Sequence, residues 1–236
     1  MEKGYRLLVY FFGVIVAVTF IGFYKKYFGL APDFPGLTTL HHVHAIVMTT
    51  WLTLLVVQPI LIARNKWTAH RRIGQISYVL VPIIFVSMLL VYHHQYLRLV
   101  AEGKAVSETL AFVFSPATDA IPFVIFYLLA LRNRHNTARH MRYMIGTGIV
   151  IGGPGLGRIF ITWMGMDMFT AIALITLITL VVFIALITYD RVLTKHFKMN
   201  VYAISLVIWL IPNILITFFP TTALWQGIAT WIVTTF

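Results

Sequence analysis

From His41 to Ala63 the chain carries no Asp, Glu, Lys or Arg. At about 1.5 Å of rise per residue, such a run crosses the ~30 Å hydrocarbon core of a bilayer as one helix. It belongs to a series: Leu7–Phe23, His41–Ala63, Ile73–Tyr92, Thr109–Leu131, Tyr143–Trp163, Met168–Tyr189 and Val201–Phe219 are all apolar and near that length. A last run, Ala223–Phe236, is shorter and fits either a tilted span or a helix lying in the interface. The series predicts an all-α polytopic transmembrane helix bundle with seven or eight spanning helices. No long hydrophilic stretch is left over, so residues 1–236 read as one integral membrane domain without an internal repeat.

Composition agrees, and it excludes several chemistries. Sixty per cent hydrophobic and 11% charged residues leave too little polar surface for a soluble fold. The 18 Lys and Arg against seven Asp and Glu would suggest nucleic acid in a soluble protein. Here the basic residues fall between apolar runs, where topology and anionic lipid explain them and nucleic acid does not. There is no cysteine, which removes disulfides, thiolate metal ligands, iron–sulfur clusters and thioether-linked haem.

Orientation follows from the Lys/Arg distribution. With a cytoplasmic N-terminus, one side holds Lys3, Arg6, Arg64, Lys66, Arg71, Arg72, Arg132, Arg134, Arg139, Arg142, Arg191, Lys195 and Lys198. The other holds Lys25, Lys26, Arg98 and Lys104, and the positive-inside bias therefore predicts a cytoplasmic N-terminus. Lys3 and Arg6 before an apolar run resemble a signal peptide, yet no small-x-small site follows Phe23, so the first run reads as a retained span. This topology puts His41, His42, His44, His93 and His94 at the outer side, and His70, His135, His140 and His196 at the inner side.

Two runs carry polar groups at both membrane depths. His44 and Gln58 share a helical face roughly 21 Å apart. His140 and Arg158 do the same on the fifth helix, five turns apart. Asp119 is expected ten residues into the fourth helix, about 15 Å deep, where an ionisable side chain marks either function or a local hydrogen bond beside Pro116 and Pro122. It is the candidate catalytic residue or proton relay. The fifth helix is also rich in glycine, from Gly146 to Gly157, which suits close helix packing or a flat ring such as haem or a quinone. Its GPGLG run is no nucleotide loop, because no strand precedes it.

The imidazoles allow two kinds of centre. His41 and His44, with His93 or His94 from the neighbouring helix, could hold a divalent metal, although neither desaturase-like histidine boxes nor H-E-x-x-H occur. At the inner side His70 and His140 could hold a b-type haem, with Arg71 and Arg142 on its propionates; a basic headgroup-binding rim is the alternative. Di-haem helices carry two His about 13 or 14 residues apart, and Gln58 stands at the second position. His44 and His140 are too far apart to share one iron.

Taken together, His44 with Gln58, His70-Arg71 with Gly74, and His140 with Tyr143, Met144 and Arg158 resemble a family of uncharacterised bacterial multi-pass membrane proteins. That family shows an H-x13-Q helix, an H-R-x-x-G turn and H-x-x-[WY]-M-x13-R. The likeness covers the second to fifth helices, and His41, His42, His93 and His94 are outside it. It implies the fold, the two-ended polar stripe and a bacterial plasma (inner) membrane, but no reaction. The function expected first is a redox protein binding b-type haem or quinone among the second to fifth helices. The alternatives are a metal-dependent membrane enzyme using the outer histidines, and a transporter or non-catalytic subunit of a larger membrane complex. The expected partners are anionic lipids at the cytoplasmic face, a quinone or other small hydrophobic ligand, and further subunits or copies.

Overall fold

A computed structural model describes residues 2–194 and 200–235. Lys195, His196 and Lys198, counted above on the basic side, lie outside the described residues. Within them regular structure is helical and no strand occurs. The α-helices are α1 (Glu2–Tyr24), α2 (Thr39–Ala63), α3 (Trp67–Gly74), α4 (Ser77–Ala101), α5 (Val106–Phe112), α6 (Ala117–Arg132), α7 (Thr137–Arg158), α8 (Met168–Thr194), α9 (Val201–Leu215) and α10 (Ala223–Thr235). Among the described residues six helical stretches are long and apolar enough to cross a membrane: Tyr5–Tyr24, Thr39–Ala63, Trp67–Ala101, Thr137–Trp163, Met168–Val192 and Val201–Thr221. They mark a multi-pass helical membrane protein.

The fourth apolar run departs from its expected form. It breaks at Val113–Pro116 into α5 and α6, because Pro116 has no N–H to donate and its ring disfavours helix in the residue before it. Asp119 therefore lies in the first turn of α6 and not midway along a continuous helix. The α6 helix has 16 residues and α10 has 13, both short for a span. The α10 helix packs on α5: Trp225 Nε1 donates to the Leu110 carbonyl at 2.8 Å, and Leu110, Phe114, Trp225 and Ala229 form a small second core.

Helix α7 is the axis of the bundle. Its most apolar window is 56% buried, against 17–28% for the other five spans. It packs on α1, α6, α8 and α9, while α2 and α4 complete a ring between α1 and α6. Small residues make this possible. A Cβ on Gly155 would lie 2.8 Å from Thr19 Cα, and one on Gly22 would collide with the Gly155 carbonyl, so α1 and α7 touch backbone to backbone. Glycine in α7 thus serves helix packing here, with Gly148 facing Phe12 and Ile15 of α1. The middle of the ring is filled by Trp51, Ile84, Phe123, Phe126 and Tyr127. Ionisable groups are thereby kept toward the two ends, while Thr147 in the middle of α7 bonds the Met144 carbonyl of its own helix.

The candidate functional site at the two ends of the bundle

At the end where α1 finishes and α2 begins, the histidines are dispersed onto separate partners. Thr38 caps α2: its backbone N–H donates to His41 Nδ1 at 3.1 Å, and the His41 ring sits edge-on to His94 at 5.1 Å. His42 Nδ1 bonds the Tyr27 hydroxyl at 2.8 Å. His93 stacks on Tyr96 and its Nε2 is buried without a partner. His44 turns to Ser87 of α4 at 3.0 Å. Among the described residues no three His, Asp or Glu side chains gather to hold a metal ion. The set His41, His44, His93 and His94 therefore does not form one ligand shell: capping and ring stacking take up its members.

The Ser87 hydroxyl lies 2.9 Å from the Ile84 carbonyl as well as 3.0 Å from His44 Nδ1. With its hydrogen on the carbonyl, its oxygen accepts from His44 Nδ1–H, and neutral His44 in that tautomer carries a lone pair on Nε2. Arg158 is within electrostatic range of His44, Asp119 and Tyr92. The Tyr92 side chain bonds that of Ser115, in the turn that separates α5 from α6. Arg158 lies over the Phe23 ring at 4.1 Å and donates to the Pro154 carbonyl at 3.2 Å. Asp119 is not among the ion pairs closer than 4.0 Å, although its Oδ1 would be 3.8 Å from a Cβ at Gly153. Helix α7 passes into a π-helical segment, Ile159–Trp163, directly after Arg158, a feature frequent at functional sites. The structure thus brings His44, Asp119 and Arg158 to one end, together with Tyr92, Ser87 and Ser115, which the sequence did not single out. A hydroxyl among apolar neighbours is too common a sequence signal to have done so.

The opposite end is built from satisfied pairs. Gln58, with its amide nitrogen turned to His70, donates to His70 Nδ1 and, at 3.2 Å, to the His70 carbonyl; its oxygen accepts from Gly74 N–H at 3.1 Å. His70 Nδ1 is therefore an acceptor, and neutral His70 carries its hydrogen on Nε2. His140 Nδ1 meets the Ala130 carbonyl at 2.9 Å, which can only accept, so His140 presents a lone pair on Nε2. The two rings lie within electrostatic range. Gln58 and His70 are thus bonded to each other, with His140 within electrostatic range of His70.

Arg142 is committed elsewhere. Its guanidinium pairs with Asp190 of α8, with Nε at 3.1 Å from Oδ1, while Nη1 bonds the Ala138 carbonyl and the group lies over the Tyr202 ring. Asn200 caps α9 and reaches the Ile187 carbonyl of α8. Arg142 is thus held away from the propionate role expected of it, whereas Arg71 is exposed at the rim. Asp190 was missed because an acid at the end of an apolar run looks like a solvated terminus. The chain matches no protein-family model, no curated protein and no solved structure.

Proposed function

We propose that this is a membrane redox protein that holds a quinone, or a b-type haem, in the bundle formed by α2, α4, α6 and α7. One observation carries the reading: in the tautomer that donates from Nδ1 to Ser87, His44 has a lone pair on Nε2, at the end of the bundle where Arg158 and Asp119 also lie. A quinol hydroxyl donates to such a nitrogen, and a quinone carbonyl accepts from a guanidinium. Asp119, a half-buried acid in the first turn of α6, is then the second proton acceptor. The electrons must enter or leave through a partner, so the reading includes assembly into a larger membrane complex.

Between the two cofactors, tautomers favour the quinone. An iron ligand needs a bare ring nitrogen. His140 offers one, with Nδ1 held on a carbonyl as ligating histidines have it, but His70 has its hydrogen on Nε2 while Gln58 occupies Nδ1. Haem ligation by both would require Gln58 to let go. The resemblance to the uncharacterised bacterial family fits this reading, since its pattern residues His44, Gln58, His70, His140 and Arg158 are those that define the two ends.

The finer topology belongs to the same proposal: α5 with α6 makes a seventh crossing, α10 an eighth or an interfacial helix, and the N-terminus is cytoplasmic in a bacterial plasma membrane. Cysteine accessibility at positions 3 and 104 from either side of sealed vesicles tests the orientation. For the cofactor, protein purified from its own membranes is extracted for quinone and scanned for a Soret band. Bound quinone that falls in His44→Leu and Asp119→Asn supports the reading; neither quinone nor a Soret band in wild type overturns it. A second reading, a proton-coupled carrier with Asp119 as relay, is favoured by the broken helix at Val113–Pro116 and the π segment after Arg158. Unchanged proton-coupled uptake in Asp119→Asn would remove it.

A further inference from the structure

Helices α4 and α6 leave an open groove between them at the end that carries His70 and His140. On α4 it is lined by Tyr78, Val81, Pro82 and Phe85, at the spacing of one helical face. On α6 it is lined by Val124, Tyr127, Leu128 and Leu131, at the same spacing. The two stripes run antiparallel over two turns, about 10 Å. The groove encloses about 360 Å³, within the ~300–1,000 Å³ range of small-ligand sites. Its floor is buried, with Val81 at 4% and Tyr127 at 5% exposure, and its walls are open, with Leu128 at 57%. The floor is also held: the Tyr127 hydroxyl bonds Ser77 Oγ at 2.9 Å, so the channel is a built feature of the helix pair.

Charge stands at one end of the groove only. Arg132 directly follows Leu131, and Arg72 lies in the last turn of α3, which precedes the start of α4 at Ser77. Both are exposed. The acid of this end among the helices nearby, Asp190, is taken by Arg142. The far end, at Phe85 and Val124, has no charged residue in its lining. An apolar channel parallel to the helices with arginines at one mouth has the layout of a single lipid: acyl chain in the channel, anionic headgroup at the rim.

The geometry points to a specific site for an anionic phospholipid, with one acyl chain lying between α4 and α6 and its phosphate bound by Arg72 and Arg132. It is separate from the His44–Asp119–Arg158 cluster and stands whether or not a quinone binds there. Arg71, which borders the His70 cluster, is left untouched in the test. The protein is equilibrated with equimolar phosphatidylglycerol and phosphatidylcholine in detergent, and retained lipid is read by native mass spectrometry. Wild type is expected to keep one phosphatidylglycerol in clear excess. Arg72→Gln/Arg132→Gln should lower that preference about fivefold or more per arginine, and Leu128→Trp, which fills the channel, should abolish retention of either lipid. Ile184→Trp, on the exposed face of α8, should change nothing. Equal retention of both lipids by wild type, or a preference that survives either the double arginine change or Leu128→Trp in a monodisperse protein, overturns the site. A variant that is not monodisperse is replaced by Val124→Phe, which narrows the same channel with a smaller side chain and carries the same two outcomes.

Discussion

The two ends of this bundle treat buried polar groups differently. Around Arg142 and His140 each strong group has at least one short-range partner: Arg142 has Asp190, His140 Nδ1 has the Ala130 carbonyl although its Nε2 stays open, and Gln58 has both His70 and Gly74. Around Arg158 the same residue types face one another without closing. Arg158 and Asp119 interact without an ion pair inside 4.0 Å, His44 keeps a bare Nε2, and His93 Nε2 is buried with no partner. A buried polar group left open costs free energy, whereas a satisfied pair fixes geometry. The first end is therefore a clasp that fastens α7 to α8 and α9, and the second is the end at which the proposed function places its ligand.

That contrast is most exposed by breaking the clasp. Arg142→Met removes the guanidinium that pairs with Asp190 at a nearly buried position, 10% exposed, and should cost up to about 3–5 kcal/mol of unfolding free energy in micelles. The double variant Arg142→Met/Asp190→Leu should recover most of that loss, because a well-packed apolar pair replaces a buried ion pair at little cost. If the double variant is as unstable as the single one, the pair is not the source of the loss.

Next comes the axis that both ends share. Gly155→Val places side-chain carbons into the α1 backbone at Thr19 and Val18, where neither helix can give way locally. The expected penalty is about 1–3 kcal/mol, the range for overpacking, read from the thermal midpoint. Gly227→Val in α10, with nothing within 4 Å, is the matched control and should be close to neutral.

The open end should respond in the opposite sense. Asp119→Asn and His44→Leu keep approximate volume and remove no short ion pair, so each should cost less than about 1.5 kcal/mol. Bound quinone is the quantity expected to fall. A stability loss at Asp119 as large as at Arg142 would erase the distinction between clasp and site.

Much of this architecture is legible in the residues, for identifiable reasons. Uncharged runs bounded by Lys and Arg report spanning helices directly, because the bilayer punishes any other reading. The i, i+14 spacing of His44 with Gln58 reports a shared face in the same way. What the sequence hides is pairing across helices. Nothing near Asp190 in the chain announces Arg142, which is 48 residues away. Nothing near His44 announces Ser87. The break at Ser115–Pro116 was readable from proline alone, yet the apolar residues on either side disguised it as one span. The histidines show a further limit: their number at one end suggests a metal, yet His41 also serves as a capping partner of Thr38, a role that residue type does not advertise.

The smallest expected effect separates two acids at the open end. Asp167 is fully exposed and caps α8, accepting from Thr170 N–H at 3.0 Å and from the Thr170 hydroxyl at 2.6 Å. The hydrogen bonds from the Thr170 side chain, then its backbone, hold the Asp167 carboxyl below the ordinary carboxylate range. Because the folded value is the lower one, the cap is complete above the unfolded value and is lost as pH falls through the lowered folded value. Thr170→Val removes the first and larger of those bonds, so Asp167 should titrate at higher pH in the variant, followed by its side-chain carbon shift in NMR. Bound quinone should be unaffected, since Asp167 belongs to a helix start and not to the cluster around Arg158. An unmoved titration would mean that the hydroxyl bond contributes nothing to the cap. A change in bound quinone would extend the site beyond Asp119 and blur the line drawn here between an acid that ends a helix and an acid held for chemistry.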